Sequence, residues 1–155
     1  MIKIDVFVQD KNWKKYIPES QRYINSKKKF LNHFLKSLKI KKINFSILLA
    51  GNKEIKKLNT KFRKKNKTTD VLSFPFYNLK DLKKLKRNNV YLGDIILNFN
   101  KIDKKCFIKD FNRLWVHGFF HLLGYKHQKD KDFIKMNRAE KIILNKIEKN
   151  NVKFF

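Results

Sequence analysis

The stretch VHGFFHLLGYKH, residues 116–127, carries three of the chain's four histidines: His117, His121 and His127. On a helix the first two lie one turn apart and within roughly 40° of each other, so both imidazoles can point at one ion. His127 would be on the wrong side if the helix continued. Gly124 is the residue type that best tolerates the left-handed conformation at helix ends, and a stop there lets the chain turn back and bring His127 to the same point. The first half of the stretch has the spacing of the HExxH zinc helix, with Gly118 where that motif places its general base. The chemistry to expect is metal chemistry without a carboxylate inside the motif.

Imidazole nitrogens suit zinc, and three protein ligands leave a tetrahedral ion one position for water, the mark of a catalytic site. Zinc lowers the pKa of its water to about 7, so hydroxide is available at neutral pH without a dedicated carboxylate. The single cysteine, Cys106, precedes His117 by eleven residues, about 16 Å along an unbroken helix. That is too far for a fourth ligand, and core packing is its expected role. His33 reads as an ordinary helix residue. The alternative for His117 and His121, buried polar side chains satisfied by backbone carbonyls, suits a lone histidine better than a cluster of three.

These residues need elements to hold them. Residues 2–8 alternate Ile2, Ile4, Val6 and Val8 and predict a strand, and 19–38 carry Ile24, Leu31, Phe34, Leu35 and Leu38 at helical spacing. Residues 43–50 are apolar enough for a central strand, after which Asn52 is placed to cap a short helix through Ile55 and Leu58. The strand at 70–76 contains Pro75, which has no N–H for a ladder, so it ends there or lies at a sheet edge. The lysine-rich segment 78–89 reads as a loop, and 91–98 as a fourth strand. A helix from about 104 to Gly124 carries Cys106, Phe107, Phe111, Leu114, Trp115 and Leu122, and a last one over 131–149 is expected to turn Phe133, Ile134, Ile142, Ile143 and Ile147 inward. The order βαβαββαα predicts one α+β domain over residues 1–155, a small mixed four-stranded sheet packed with helices.

Thirty-nine Lys and Arg against thirteen Asp and Glu give a formal charge of +26, which attracts polyanions such as RNA in a salt-dependent way. Scarce Gly and Pro beside abundant Lys, Asn, Ile and Phe are also what an AT-rich genome imposes on any protein, so charge alone names no partner. A single cysteine excludes an intramolecular disulfide framework, no apolar run approaches a membrane span, and the N-terminus lacks the pattern of a signal peptide. A reducing cytoplasm is the expected location, with no membrane partner.

HGFFHLLGYKH resembles the HGxLHLxGYDH signature of the YbeY family, bacterial zinc-dependent endoribonucleases of ribosomal RNA maturation and ribosome quality control. LNTKFRKKNKTTDVLSFPF, residues 58–76, is similar to that family's N-x-x-x-R-x-x-x-x-x-T-D-V-L-S-F-P segment, and YLGDI, residues 91–95, to its LGDI strand. The three motifs occur in family order, and the resemblance covers nearly the whole chain. It implies one zinc ion on His117, His121 and His127, an arginine of the active cleft at Arg63, and RNA of the ribosome, at the 3′ end of the small-subunit RNA, as substrate. One departure stands out: the family's aspartate before the third histidine is Lys126 here, so any role of that carboxylate does not carry over and positive potential is added instead.

Arg63 suits a phosphodiester because a guanidinium is always charged and can bind two oxygens at once. Asp70 and Asp94 are placed to accept a hydrogen bond from a ligand imidazole, although a strand-start cap and a lysine partner are the plainer roles. Ser73 has no neighbouring base and reads as a strand residue. The basic segments 61–67 and 80–89 can wall a groove for a single strand. Two other readings compete: a metallopeptidase-like hydrolase, which lacks its glutamate at Gly118, and a non-catalytic zinc-containing ribosome-binding factor, for which three ligands are one too few.

Overall fold

The computed structural model describes residues 1–151. Four strands, β1 (Ile2–Val8), β2 (Lys42–Ala50), β3 (Val71–Pro75) and β4 (Asn89–Asn98), form one sheet in the order β1-β2-β4-β3. β1, β2 and β4 run parallel, with Ile4 beside Phe45 and Ile47 beside Ile95. β3 runs antiparallel to β4 and forms an edge, pairing Ser73 with Ile95. The expected mixed four-stranded sheet and the edge position of the Pro75 strand are both borne out.

Helices cover the two faces unequally. α5 (Phe107–Leu122) crosses β3 and β4 on one face, and α6 (Asp130–Asn151) packs on α5. Between them Trp115, Val116, Phe119, Phe120, Leu122, Ile143 and Ile147 are fully buried together with Ile95 and Leu97 of β4. The other face carries α3 (Asn52–Arg63), whose Ile55 closes a smaller cluster with Ala50, Leu72 and Ile96. The alternation of strand side chains explains this division: in β3, Leu72 turns toward α3, while Ser73 turns toward α5 and donates to the Gly118 carbonyl at 3.4 Å.

Several local expectations are corrected. The helix expected over 19–38 is divided into α1 (Ser20–Lys27), a 3-10 turn at Lys28–Leu31 and α2 (Asn32–Leu35); the tighter turn accompanies full burial of Leu31 and an edge-on contact of Phe34 with Phe120 at 5.0 Å. Asn52 does not cap α3; Gly51 holds the N-cap position, and the Asn52 side chain accepts from Asn98 Nδ2 at 2.8 Å and Thr68 Oγ1 at 3.1 Å. The lysine-rich 78–89 segment contains α4 (Leu79–Lys84), because Asn78 caps it by accepting from the Asp81 N–H at 2.8 Å and Leu82 is buried beneath it. Cys106 is exposed, since α5 begins at Phe107 and the cysteine sits outside the helix at its N-cap. On α6 the inward stripe is Met136, Ala139, Ile143 and Ile147; Phe133, Ile134 and Ile142 are exposed, because α5 contacts a single narrow face of a long helix. Among the described residues no helix is long and apolar enough to cross a membrane.

α5 approaches the sheet at Gly118. A Cβ built there would stand 2.6 Å from Cγ2 of Ile95, a fully buried β-branched side chain with little room to yield. Position 118 therefore faces β4, and no glutamate side chain could occupy it. Gly118→Ala is expected to destabilise the protein: overpacking costs about 1–3 kcal/mol, against a gain of about 1 kcal/mol from alanine's better helix preference. Chemical denaturation checks this; an unchanged or raised midpoint would contradict the close approach.

Candidate metal centre

Burying the Gly118 face of α5 leaves His117 and His121 on its flank, each half-buried. Just beyond them the helix ends. Gly124 adopts φ +90°, its N–H donates to the His121 carbonyl at 3.0 Å, and the Tyr125 N–H donates to the Phe120 carbonyl at 3.0 Å. This pair of bonds is the Schellman motif, completed by the Phe120 and Tyr125 rings at 5.1 Å. The reversed chain brings the exposed His127 back over the helix end, where its ring centroid lies 5.0 Å from that of His121 and 5.7 Å from that of His117. One ligand atom from each of the three histidines lies within 4.8 Å of the others, so the cluster can hold a metal ion.

The hydrogen bonds on the far side of each ring orient the donors. His117 Nδ1–H donates to Glu140 Oε1 at 2.7 Å, and His121 Nδ1–H donates to the Tyr125 carbonyl at 2.9 Å. In neutral rings with those tautomers, both Nε2 atoms carry bare lone pairs, and they stand 3.0 Å apart. Two bare acceptors at that distance repel; a cation between them turns the repulsion into ligation. Tetrahedral zinc with nitrogens at about 2.0–2.1 Å separates two ligands by roughly 3.3 Å. The donor set therefore fits such an ion with small ring movements.

Burial, then the neighbouring His117, pushes the His121 imidazole down from its ordinary 6.5 to about 4, against the Tyr125 carbonyl, which favours the charged form. The ring is neutral at pH 7, the state a metal ligand requires.

Neither Asp70 nor Asp94 orients an imidazole. Asp70 immediately precedes β3 and lies 3.6 Å from Arg113, while Asp94 accepts from the hydroxyls of Ser46 and Tyr91. The carboxylate that does reach the cluster is Glu140, on α6. Its sequence signal was an acid three residues before Ile143 and seven before Ile147, on the stripe that packs inward, where an unpaired carboxylate would be costly.

The histidines open on a cleft of about 1150 Å³, walled on one side by the free edge of β3 and on the other by the turn after α5. Arg63 ends α3, on the far face of the sheet, and its guanidinium reaches round β3 to donate to the Ser73 carbonyl at 2.7 Å while lying 5.6 Å from the Phe74 ring centre. Arg63, Lys65, Lys80 and Lys126 line the same cleft, in which Asp70 is the sole carboxylate among the described residues.

Two outcomes follow from the ring partners. Glu140→Ala is expected to weaken zinc binding about 10- to 100-fold, measured by competition with a chromophoric chelator; an unchanged affinity would deny Glu140 its orienting role. In metal-free protein the folded His121 value lies below the unfolded one, so the unfolded chain takes up the proton first as pH falls. The stability contributed by the neutral His121 ring is then full above 6.5 and is lost progressively toward about 4. An NMR titration following the His121 ring should give a midpoint near 4; a midpoint near 6.5 would contradict its burial.

Comparisons with known proteins agree with the motifs. The family described as endoribonuclease YbeY matches residues 7–148. The chain is 45% identical to the endoribonuclease YbeY of Pelagibacter ubique over 151 residues, 92% of this chain and 94% of that one. It is 39% identical to the endoribonuclease YbeY of Buchnera aphidicola over 76% of this chain and 79% of that one. The solution structure of a Thermotoga maritima protein shares the fold with a TM-score of 0.56 at 22% identity, covering 96% of this chain and 93% of that one. A family match over most of the length, with relatives at these identities, shows that the chain belongs to the YbeY family.

Proposed function

We propose that this protein is a zinc-dependent endoribonuclease that cuts single-stranded RNA at the His117, His121 and His127 cluster. The observation that carries the reading is the convergence of three imidazoles in a cleft whose charged lining is almost wholly cationic. The family's name supplies the reaction class. Ribosomal RNA, near the 3′ end of the small-subunit RNA, is the substrate that the motif resemblance implies, with a part in ribosome quality control and a cytoplasmic setting.

When bound, zinc supplies Lewis acidity and a water acidified to near neutrality. The chain's own residues do the rest. His121 and His117 are held in register by the Tyr125 carbonyl and Glu140, so their Nε2 atoms need only small ring movements to take up the ion. Arg63 uses one N–H on Ser73 and has four more for the non-bridging oxygens of a phosphodiester, where negative charge builds in the transition state. Lys65, Lys80 and Lys126 draw the backbone into the cleft and make binding salt-dependent. Lys126, where the family has aspartate, adds to that attraction.

A metallopeptidase is disfavoured by the same geometry. Its general base would sit at position 118, which faces Ile95, and Glu140 is engaged with His117.

The test compares purified wild type and His121→Ala, prepared identically, on single-stranded RNA, duplex RNA and an unstructured peptide, with and without chelator. Chelator-sensitive cleavage of single-stranded RNA that His121→Ala lacks is expected; equal loss of RNA in both preparations, or cleavage of the peptide alone, would overturn the reading. Arg63→Ala should retain zinc while kcat falls about 10²-fold. Loss of zinc from that variant would show a structural role instead.

A further inference from the structure

The sequence has no interleaved aromatic pattern of the kind that stacks bases across a sheet, and both Trp13 and Trp115 and five phenylalanines, Phe45, Phe107, Phe111, Phe119 and Phe120, are buried in the core. Phe76 differs. It is 69% exposed, and it lines the cleft that holds the three histidines and Arg63. A phenyl ring left in water contributes little to the core, yet the backbone that carries this one is well anchored. Its N–H donates to the Leu92 carbonyl at 2.8 Å, just past Pro75, whose ring fixes the backbone before it. On its other side Tyr77 packs against the core and meets the Phe76 ring edge-on, at 5.1 Å and 64°. Asn78 then caps α4. The backbone is clamped before and after the ring, while the ring itself remains largely open to solvent.

The cationic groups of the cleft account for phosphate binding, but phosphates are present on single and double strands alike and cannot tell them apart. An aromatic face can. In a duplex each base face is covered by its neighbours and the base edges are paired, whereas an unpaired base can splay out and stack on a protein ring. Every base has such a face, so the contact selects for unpaired RNA without reading sequence.

We propose that Phe76 is a base-stacking platform: it takes the face of one unpaired nucleobase beside the phosphodiester at the histidines, and thereby sets the preference of the cleft for single strands. The inference rests on the ribonuclease reading above. Arg63 and the lysines hold the backbone, Phe76 holds the neighbouring base, and Tyr77 packs edge-on beside the platform.

The test uses the zinc-loaded full chain and a labelled single-stranded oligoribonucleotide, with the matching duplex as comparison. Phe76→Ala is expected to raise KM for the single strand about 10- to 100-fold, with kcat and zinc content near wild type and a narrower gap between single strand and duplex. Phe76→Trp should match or exceed wild type, and Phe76→Leu should resemble Phe76→Ala, which separates stacking from general apolar contact. An abasic nucleotide walked along the oligonucleotide should reproduce the loss at one position in wild type and add nothing at that position in Phe76→Ala. Wild-type KM in Phe76→Ala, full rescue by leucine, or additive losses would each overturn the platform while leaving the nuclease reading intact. Absence of chelator-sensitive cleavage by wild type would instead sink the reading on which it rests.

Discussion

Two imidazole nitrogens facing each other at 3.0 Å, each with its other nitrogen engaged as a donor, form an arrangement that favours a cation. The backbone and a distant carboxylate impose it. The Tyr125 carbonyl orients His121 because the chain reverses at Gly124, and the same reversal returns His127 to the cluster. One turn of chain thus ends the helix, orients one ring and delivers a third, which is economical for a segment of eleven residues, 117–127. The neutral state that burial enforces on His121 removes one proton from the competition with a metal at pH 7.

The contact of Gly118 with Ile95 determines what else the site can be. It draws α5 down on β4 and removes position 118 from the cleft, so the HExxH spacing is present without the geometry that a peptidase base requires. The carboxylate comes instead from Glu140 on α6 and addresses the outer nitrogen of His117 rather than the substrate side. Arg63 arrives from the opposite face of the sheet, over an edge strand short enough to be reached around. The cleft is therefore assembled from α3, β3, the segment that leads from it into α4, α5 and the turn beyond it, with the sheet as the common frame.

Most of this frame was legible in the sequence because it rests on short-range rules. Strand alternation gave β1 its bounds, Pro75 placed β3 at an edge, and histidine spacing with Gly124 located the cluster. What escaped depended on partners far along the chain. Glu140 is an unremarkable acid until α6 lies on α5, and Phe133, Ile134 and Ile142 look like core until it is clear that α5 covers only one stripe of that helix. α4 was hidden by its lysines, although Asn78, Asp81 and Leu82 carried its cap and its buried residue. Asp70 and Asp94 sit in recognisable motifs yet serve Arg113 in one case and Ser46 with Tyr91 in the other. Motif membership identified residues that matter without saying what they touch.

Coordination of one ion by three imidazoles can be read without reference to turnover, by X-ray absorption spectroscopy on protein loaded with a single equivalent of zinc. A four-coordinate ion is expected, with scattering from three imidazoles at about 2.0–2.1 Å and one further light atom from solvent. A shell with fewer than three imidazoles, or one closed by a sulfur or a fourth protein ligand, would contradict it.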